Sequence, residues 1–551
     1  MTAADVTLPV PIPDRMTDYQ KTHAAFQWNL PERFNFGGDV VDIWARDPDR
    51  LALIWCSETG AEERYTFRDI SLQSNKVANV LQASGLTKGD RVLVVLPRIP
   101  AWQITVVACM KLGVVPIPCI TMLTRKDLDY RLDHAGAKGV ITTAENCGKI
   151  DPDRNLTLRL AVCAGGTVPN GWTSYEGAMD KASELFSPVP MAMDDPAILY
   201  YTSGSTGNPK GVTHGARSIY TWRGSAWYWL DLRPGDTIWC TADTGWSKAG
   251  TSILFGPWSC GAAVLFYDGP FDPSKRFGLL SKYNVSVFCA AATELRRLVN
   301  EAPPEDGLPD LRLTVSAGES VNPEIVTRWA DLTGAQLLDG YGQTETLMTV
   351  LNYPSMAVKP GSMGRPLPGV DMAVLSDDGG GFAKAGEAGR LAMKLPNPQV
   401  MLGYWQEPER TAASIIHIDG SDWFVTGDRA RQDADGYLFY EGRDDDVIGS
   451  AGYRIGPMEV ENALIEHPAI QESAVVGSPD PDRGEIVCAY VVLNAGFEGD
   501  DALVKELQEF VKASTAPYKY PRKIVFEEDL PKTVTGKIRR RDLRDREYGR
   551  A

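Results

Sequence analysis

A large α/β unit of doubly wound, mostly parallel sheets, followed by a small α+β unit, is the architecture this sequence predicts. Three observations carry that reading. Apolar runs alternate with helix-like stretches over the first four-fifths of the chain, as parallel sheets wrapped by helices require. At 551 residues the chain exceeds what one hydrophobic core holds. Its character changes near residue 443, after which about 100 residues read as a compact unit of ordinary domain size.

Residues 91–96 form a buried-strand run, 101–112 a helix, and 114–120 a second apolar run. Comparable runs recur at 139–143, 160–163, 285–289 and 311–315. A strand over 197–200 leads into a glycine-rich loop and then a helix with Ile219, Trp222, Ala226 and Trp229 on one face. In the small unit a helix starts at Pro457, where a missing N–H costs nothing in the first turn. Strands over 474–477 and 487–493, a helix carrying Leu503, Leu507, Phe510 and Val511, and a strand near 524–526 follow. No fixed-period repeat is visible.

Composition narrows the function. A net charge of −16 disfavours nucleic acid, whose phosphates need a basic face, yet leaves room for a locally positive site. No apolar run reaches the roughly 18 residues of a membrane span. The opening MTAADVTLPVPIPDRMTDYQ has no basic stretch followed by an apolar core, so no secretory signal is expected. Nine scattered cysteines without C-x-x-C suggest neither zinc nor disulfides, and a cytoplasmic, reducing location is expected.

The strongest signal is the loop Tyr201-Thr202-Ser203-Gly204-Ser205-Thr206-Gly207-Asn208-Pro209-Lys210-Gly211. Its glycines let backbone N–H groups approach an anion, and its hydroxyls and Lys210 add donors. The Walker A spacing is absent, since Gly rather than Ser or Thr follows Lys210. Four further segments follow in order: Asp339-Gly340-Tyr341-Gly342-Gln343-Thr344-Glu345, Thr426-Gly427-Asp428, Gly442-Arg443-Asp444-Asp445-Asp446, and Pro531-Lys532-Thr533-Val534-Thr535-Gly536-Lys537.

Together these five segments closely resemble the motifs of the adenylate-forming superfamily, which includes acyl-CoA synthetases, nonribosomal adenylation domains and luciferases. The resemblance spans nearly the whole chain. It implies a large unit, 1–443, with the ATP and acyl sites, a hinge at 444–446, and a small mobile unit, 447–551. It implies that Thr202, Ser203, Gly204, Ser205, Thr206, Gly207 and Lys210 hold phosphate. Gly318, Glu319, Ser320, Asp339, Gly340, Tyr341, Gly342 and Gln343 would line the adenine. Asp428 would accept the ribose hydroxyls, with Arg443 donating to the same ribose. Glu345 would be a hard oxygen ligand for Mg²⁺. Thr344 would sit by the α-phosphate and the substrate carboxylate, and Lys537 would neutralise charge developing there.

The same resemblance implies a second conformation for thiol transfer, pivoting at Asp445. Ala451, Gly452 and Tyr453 would line the pantetheine tunnel, with Arg454 reaching phosphate. Arg483, Lys512 and Tyr520 would meet the CoA nucleotide, and Thr121 is carried over at a position where relatives can hold another polar residue. The medium-chain acyl-CoA synthetases are the nearest look-alike, through Ala242-Asp243-Thr244-Gly245-Trp246 and the stretch from Thr515 to Lys523. Trp246 would form a pocket wall. Acetate-specific relatives hold tryptophan where Gly342 stands, so Gly342 would leave space for a medium-chain, branched or aromatic acid, and Gly342→Trp would shift preference to short acids. Lys248 departs from the apolar residues expected nearby: pointing inward it would bind a polar or anionic tail, whereas a lysine's ordinary place is in solvent.

The implied partners are thus a small carboxylic acid, ATP and CoA, with Mg²⁺, and without nucleic acid or a membrane span. The oligomeric state stays open, a homodimer included. Loading of a carrier protein, a noncatalytic nucleotide-binding relative and a luciferase-like oxygenase are the alternatives.

Overall fold

The computed structural model describes residues 10–550 apart from 152, 164–166, 203–208, 319–320, 378–380, 451–452, 516 and 533–537. Strand Arg91–Val95 lies between Val115–Pro118 and Gly139–Thr143, with Leu158–Val162 and Thr173–Ser174 beyond, every pair parallel. Helix Pro100–Leu112 supplies the first crossover; it opens on proline and closes on Gly113, whose φ of 75° suits glycine.

A second sheet, of fourteen strands among the described residues, bears segments that the resemblance assigns to the nucleotide. Leu51–Ser57, Ala263–Asp268, Thr237–Cys240, Val287–Cys289, Leu313–Ala317 and Gln336–Gln343 lie side by side and parallel. There the expected parallel pattern stops. Leu347–Leu351, Ser362–Pro366, Leu438–Arg443, Ser421–Gln432, Ala388–Lys394 and Met372–Leu375 continue the sheet antiparallel. The reason is connection length: residues 344–346 are too few for the crossover a parallel partner needs.

Strands Pro196–Thr202 and Lys210–Gly215 form an antiparallel pair around the glycine-rich loop. The helix after them, Ala216–Tyr228, is buried on nearly every side rather than on one face. Two of its buried hydroxyls are satisfied within the helix: Thr221 Oγ1 donates to Ser218 O at 3.0 Å, and Ser225 Oγ to Trp222 O at 3.0 Å.

The small unit has its own core. Strands Ile470–Asp480 and Gly484–Leu493 pair along their length, and helices Pro457–Ile465 and Asp501–Ser514 bury Val460, Leu464, Leu503, Leu507 and Val511 against them. The sequence pattern does not signal helix Arg540–Glu547, because Leu543 is its one buried residue and no apolar stripe marks it. Charge anchors it: Arg540 donates to both Glu461 oxygens at 2.9 and 2.6 Å.

Candidate active site

Strand Gln336–Gln343 delivers Tyr341 and Gln343 to a carboxylate on the antiparallel half of the sheet. Asp428, 4% exposed, lies opposite Arg443 in register. Its Oδ2 accepts from Tyr341 Oη at 2.6 Å and from Gln343 Nε2. Its Oδ1 accepts from Arg443 Nη1 at 3.2 Å and Tyr440 Oη at 3.4 Å. Burial pushes the Asp428 carboxyl up, and Arg443, Tyr341 and Gln343 only partly oppose it. Gly427 sits at φ 75°, with Arg443 Nη2 3.2 Å from where a Cβ would stand. Tyr341 therefore joins the Asp428 network through its hydroxyl and is 9% exposed.

A second cluster forms around Glu345, 7% exposed. Lys210 Nζ lies 2.6 Å from Glu345 Oε1, Tyr404 Oη donates to the same oxygen at 3.0 Å, and Met401 N–H donates to the Glu345 carbonyl at 2.8 Å. Burial alone would raise the Glu345 carboxyl, but Lys210 and Tyr404 hold it below the ordinary carboxylate range. The phosphate-loop lysine and the expected metal ligand are thus each other's partners.

Thr344 is gripped from two sides. Its Oγ1 lies 3.1 Å from Ser247 Oγ, and its carbonyl accepts from His214 Nε2 at 2.5 Å. Burial pushes the His214 imidazole down to about 4, so it is neutral, and its donating Nε2–H leaves the lone pair on Nδ1. His214 and Tyr404 were missed in the sequence. Period two could have found the first: Lys210 and His214 share one face of strand Lys210–Gly215 and hold the consecutive residues Glu345 and Thr344.

Around the expected adenine and phosphate positions, Thr202 closes strand Pro196–Thr202 with its buried Oγ1 unpartnered among the described residues, and Gly318 takes φ 96°. Asp339 accepts from Gly340 N–H at 2.9 Å and Val321 N–H at 3.4 Å, and burial raises its carboxyl to about 7. Ser203, Gly204, Ser205, Thr206, Gly207, Glu319, Ser320 and Lys537 lie outside the described residues.

Two acyl-pocket expectations change. A Cβ on Gly342 would stand 2.2 Å from Leu347 O and 2.7 Å from Met348 Cα, so it points into the neighbouring strand's backbone and not into a channel. The cause is the register shift between Tyr341 and Gly342, which turns this position toward Leu347–Leu351. Lys248 is not a solvent-facing lysine: it is half-buried, and its Nζ donates to Ala317 O at 3.2 Å. Trp246, likewise half-buried, caps the short helix Ser247–Ser252.

The expected hinge is a 3₁₀ turn, Asp444–Asp446. Arg429 Nη1 donates to Asp444 Oδ1 at 3.1 Å, and Arg544 Nη1 to Asp446 Oδ1 at 3.2 Å. The side chains of Asp445, Tyr453 and Arg454 lie outside the description, as do Ala451 and Gly452 entirely. Lys512 Nζ sits 4.2 Å over the Tyr520 ring, and Arg522 Nη1 donates to Tyr520 Oη at 2.7 Å. Arg483 Nε instead reaches Ser450 Oγ at 3.4 Å. Thr121 takes part through its carbonyl, which accepts from Lys149 Nζ at 2.5 Å.

Fold and clusters together define a nucleotide-binding α/β enzyme with a small C-terminal unit, and the chain belongs to the AMP-binding enzyme family. The family's profile matches residues 41–405, and that of its C-terminal domain residues 459–537. Among similar proteins is a mouse (Mus musculus) acyl-coenzyme A synthetase, ACSM3, mitochondrial, 41% identical over 555 residues, covering 97% of this chain and 94% of the relative. Among solved structures, a benzoate CoA ligase from Burkholderia xenovorans LB400 superposes with a TM-score of 0.81 at 29% identity, covering 93% of this chain and 100% of that one. The anthranilate CoA ligase AuaEII, in complex with anthranoyl-AMP, gives 0.82 at 28% identity over 94% and 98%. Among the described residues no helix is long and apolar enough to cross a membrane.

Proposed function

We propose that this chain is an AMP-forming acid–thiol ligase. A carboxylate oxygen attacks the α-phosphorus of ATP, giving acyl-AMP and pyrophosphate; the CoA thiolate then attacks the acyl carbon and AMP leaves. The observation that carries this reading is the convergence of Tyr341, Gln343, Asp428 and Arg443 into one network on the strand that also leads to Thr344 and Glu345. A buried carboxylate with exchangeable donors suits a ribose diol, whose hydroxyls can replace them. Thr344, held by His214 and Ser247, would orient the acid's carboxylate. The named activities of the mouse, benzoate and anthranilate relatives support the same reaction.

The donor set also fits Mg²⁺ bound with triphosphate. Among the described residues no three metal-ligating side chains gather, and Glu345 is a single hard carboxylate, the kind of protein ligand Mg²⁺ takes alongside phosphate oxygens. When bound, the ion would neutralise phosphate charge. Glu345 would hold it, and Lys210 would then be released toward the phosphates.

The units 1–443, 444–446 and 447–551, with rotation at Asp445, belong to the proposal, as do Lys537 in the first half-reaction and Arg483, Lys512 and Tyr520 in the second. So does a medium-chain, branched or aromatic acid. Nine unpaired, buried cysteines support a reducing compartment, the cytoplasm or, by the mouse relative's name, the mitochondrion.

ATP–pyrophosphate exchange across a panel of acids, with and without CoA, tests the reading. Acid-dependent exchange and CoA-dependent AMP release are expected. Exchange without thioester, or thioester formed on a carrier protein but not on CoA, would overturn it.

A further inference from the structure

Helix Arg125–Ala135 ties the two strands that flank the glycine-rich loop to the first sheet. It runs between strands Val115–Pro118 and Gly139–Thr143, opened by the Thr124–Asp127 capping box and closed by Gly136 at φ 58°. Arg91 bolts its last turn to strand Arg91–Val95, donating from Nε to Ala135 O and from Nη2 to Gly136 O, each at 2.8 Å. Tyr130 and His134, four residues apart on one face, stack with ring centroids 5.3 Å apart. Each then reaches one of the two strands. His134 Nδ1 lies 2.8 Å from the hydroxyl of Tyr201, the residue before Thr202. Tyr130 Oη donates to the carbonyl of Pro209, the residue before Lys210, at 2.9 Å.

The same helix touches the Glu345 cluster. The His134 carbonyl accepts from Trp405 Nε1 at 3.1 Å, and Trp405 N–H donates to Gly211 O at 2.7 Å. Trp405 follows Tyr404, whose hydroxyl lies 3.0 Å from Lys210 Nζ. Thr202 and Lys210 face each other in register, so holding Tyr201 and Pro209 sets the spacing of two side chains assigned to phosphate. Packing alone does not need these bonds. The Tyr201 ring meets Tyr130, His134 and the Arg131 guanidinium through its faces and edges, and phenylalanine would fill the same space. The two phenol hydroxyls instead set direction, and groups held in place before a ligand arrives lower the ordering cost of binding it.

We infer that Tyr130 and His134 are positioning residues for ATP: they hold Tyr201 and Pro209 so that Thr202 and Lys210 meet the triphosphate at a fixed spacing. The inference rests on the placement of ATP phosphate at Thr202 and Lys210 within the acid–thiol ligase reading, and it adds two residues from outside the five motifs to that site.

The test reads the Kd of ATP in the presence of Mg²⁺, with adenosine as the phosphate-free comparison. Tyr130→Phe and Tyr201→Phe each remove one oxygen and keep the ring. Each should weaken ATP by about threefold to tenfold, the loss of one hydrogen bond. Adenosine, which shares the Asp428 network but has no phosphate, should bind as it does to the wild type. His134→Asn sets an amide near the place of Nδ1 and should retain ATP affinity that His134→Leu loses. In turnover, KM for ATP should rise while KM for the acid stays. Unchanged ATP affinity in both phenylalanine variants overturns the inference, as does equal weakening of ATP and adenosine, the mark of a packing defect. Should His134→Leu fail to fold, the two phenylalanine variants decide. If the wild type binds ATP but no acid supports pyrophosphate exchange, the ligase reading falls while the ratio of ATP to adenosine still decides this inference. If the wild type binds no ATP, both fall.

Discussion

The expected nucleotide cluster and the expected CoA surface are built differently. Asp428 has donors from Tyr341, Gln343, Arg443 and Tyr440, and Glu345 from Lys210 and Tyr404, all anchored on paired strands or on segments packed against them. The groups assigned to CoA lie on separate elements and bind their own neighbours: Lys512 donates to Glu509 at 2.5 Å, Tyr520 accepts from Arg522, and Arg483 donates to Ser450. One region is knit together by its own side-chain contacts. The other, on the proposal above, is completed by movement about the turn Asp444–Asp446. If the proposed roles hold, adenylate formation should depend on the strand-borne network, and thioester formation on how two units meet.

The harshest way to break that contrast is Lys537→Ala. Removing one cation from developing phosphate charge should lower adenylate formation by about 10²–10³. Thioester formation from supplied acyl-AMP should be nearly unchanged. Near wild-type adenylation would remove Lys537 from the chemistry.

Gly342→Trp comes next, with an outcome opposite to the one the sequence suggests. Because its Cβ faces the backbone of Leu347 and Met348, an indole there overpacks the sheet by about 1–3 kcal/mol or more. The melting temperature should fall, and kcat/KM should fall for short and long acids alike. A clean gain of activity on acetate with an unchanged melting temperature would return this position to the acyl channel.

Asp445→Pro isolates the second region. Proline fixes φ near −65° and should restrict the pivot, so CoA-dependent AMP release should drop about tenfold or more while pyrophosphate exchange persists. Equal loss in both assays would mean a folding defect, and no loss would take rotation out of the mechanism. The flanking contacts sharpen this. Asp444 is held by Arg429 and Asp446 by Arg544, so freedom should be concentrated at the residue between them.

The smallest effect concerns pH where the units touch. Glu441, on strand Leu438–Arg443, faces Glu459 on helix Pro457–Ile465, with Arg431 2.8 Å from Glu441 and Lys519 paired with Glu459. Burial first, and then the Glu459 charge, push the Glu441 carboxyl up to about 7, against the opposing pull of Arg431 and Lys519. A carboxyl raised on folding contributes fully below its unfolded value, near 4.5, and that contribution is lost as pH rises through about 7. Melting curves between about pH 6 and pH 8 should therefore show the wild type losing stability relative to Glu441→Gln. Parallel curves for the two proteins would refute the assignment.

Local chemistry made much of this protein legible in the sequence. The helix from Pro457 to Ile465, the parallel strands and the glycine-flanked motifs each depend on residues close in the chain, so propensity, periodicity and spacing reveal them. Tertiary structure alone decided the rest. His214 reaches Thr344 across 130 residues, and nothing near either one announces the bond. The sheet turns antiparallel after Gln343 because of connection length, and Gly342 faces backbone because of a one-residue register shift. Lys248 is half-buried and donates to the Ala317 carbonyl 69 positions away, a contact its own neighbours in the chain do not announce. Helix Arg540–Glu547 docks through Arg540 on Glu461, an ion pair 79 positions apart that no apolar period could signal. Sequence declares which groups are present and what local backbone they favour; their pairing at long separation is set only when the folded sheet brings distant strands into register.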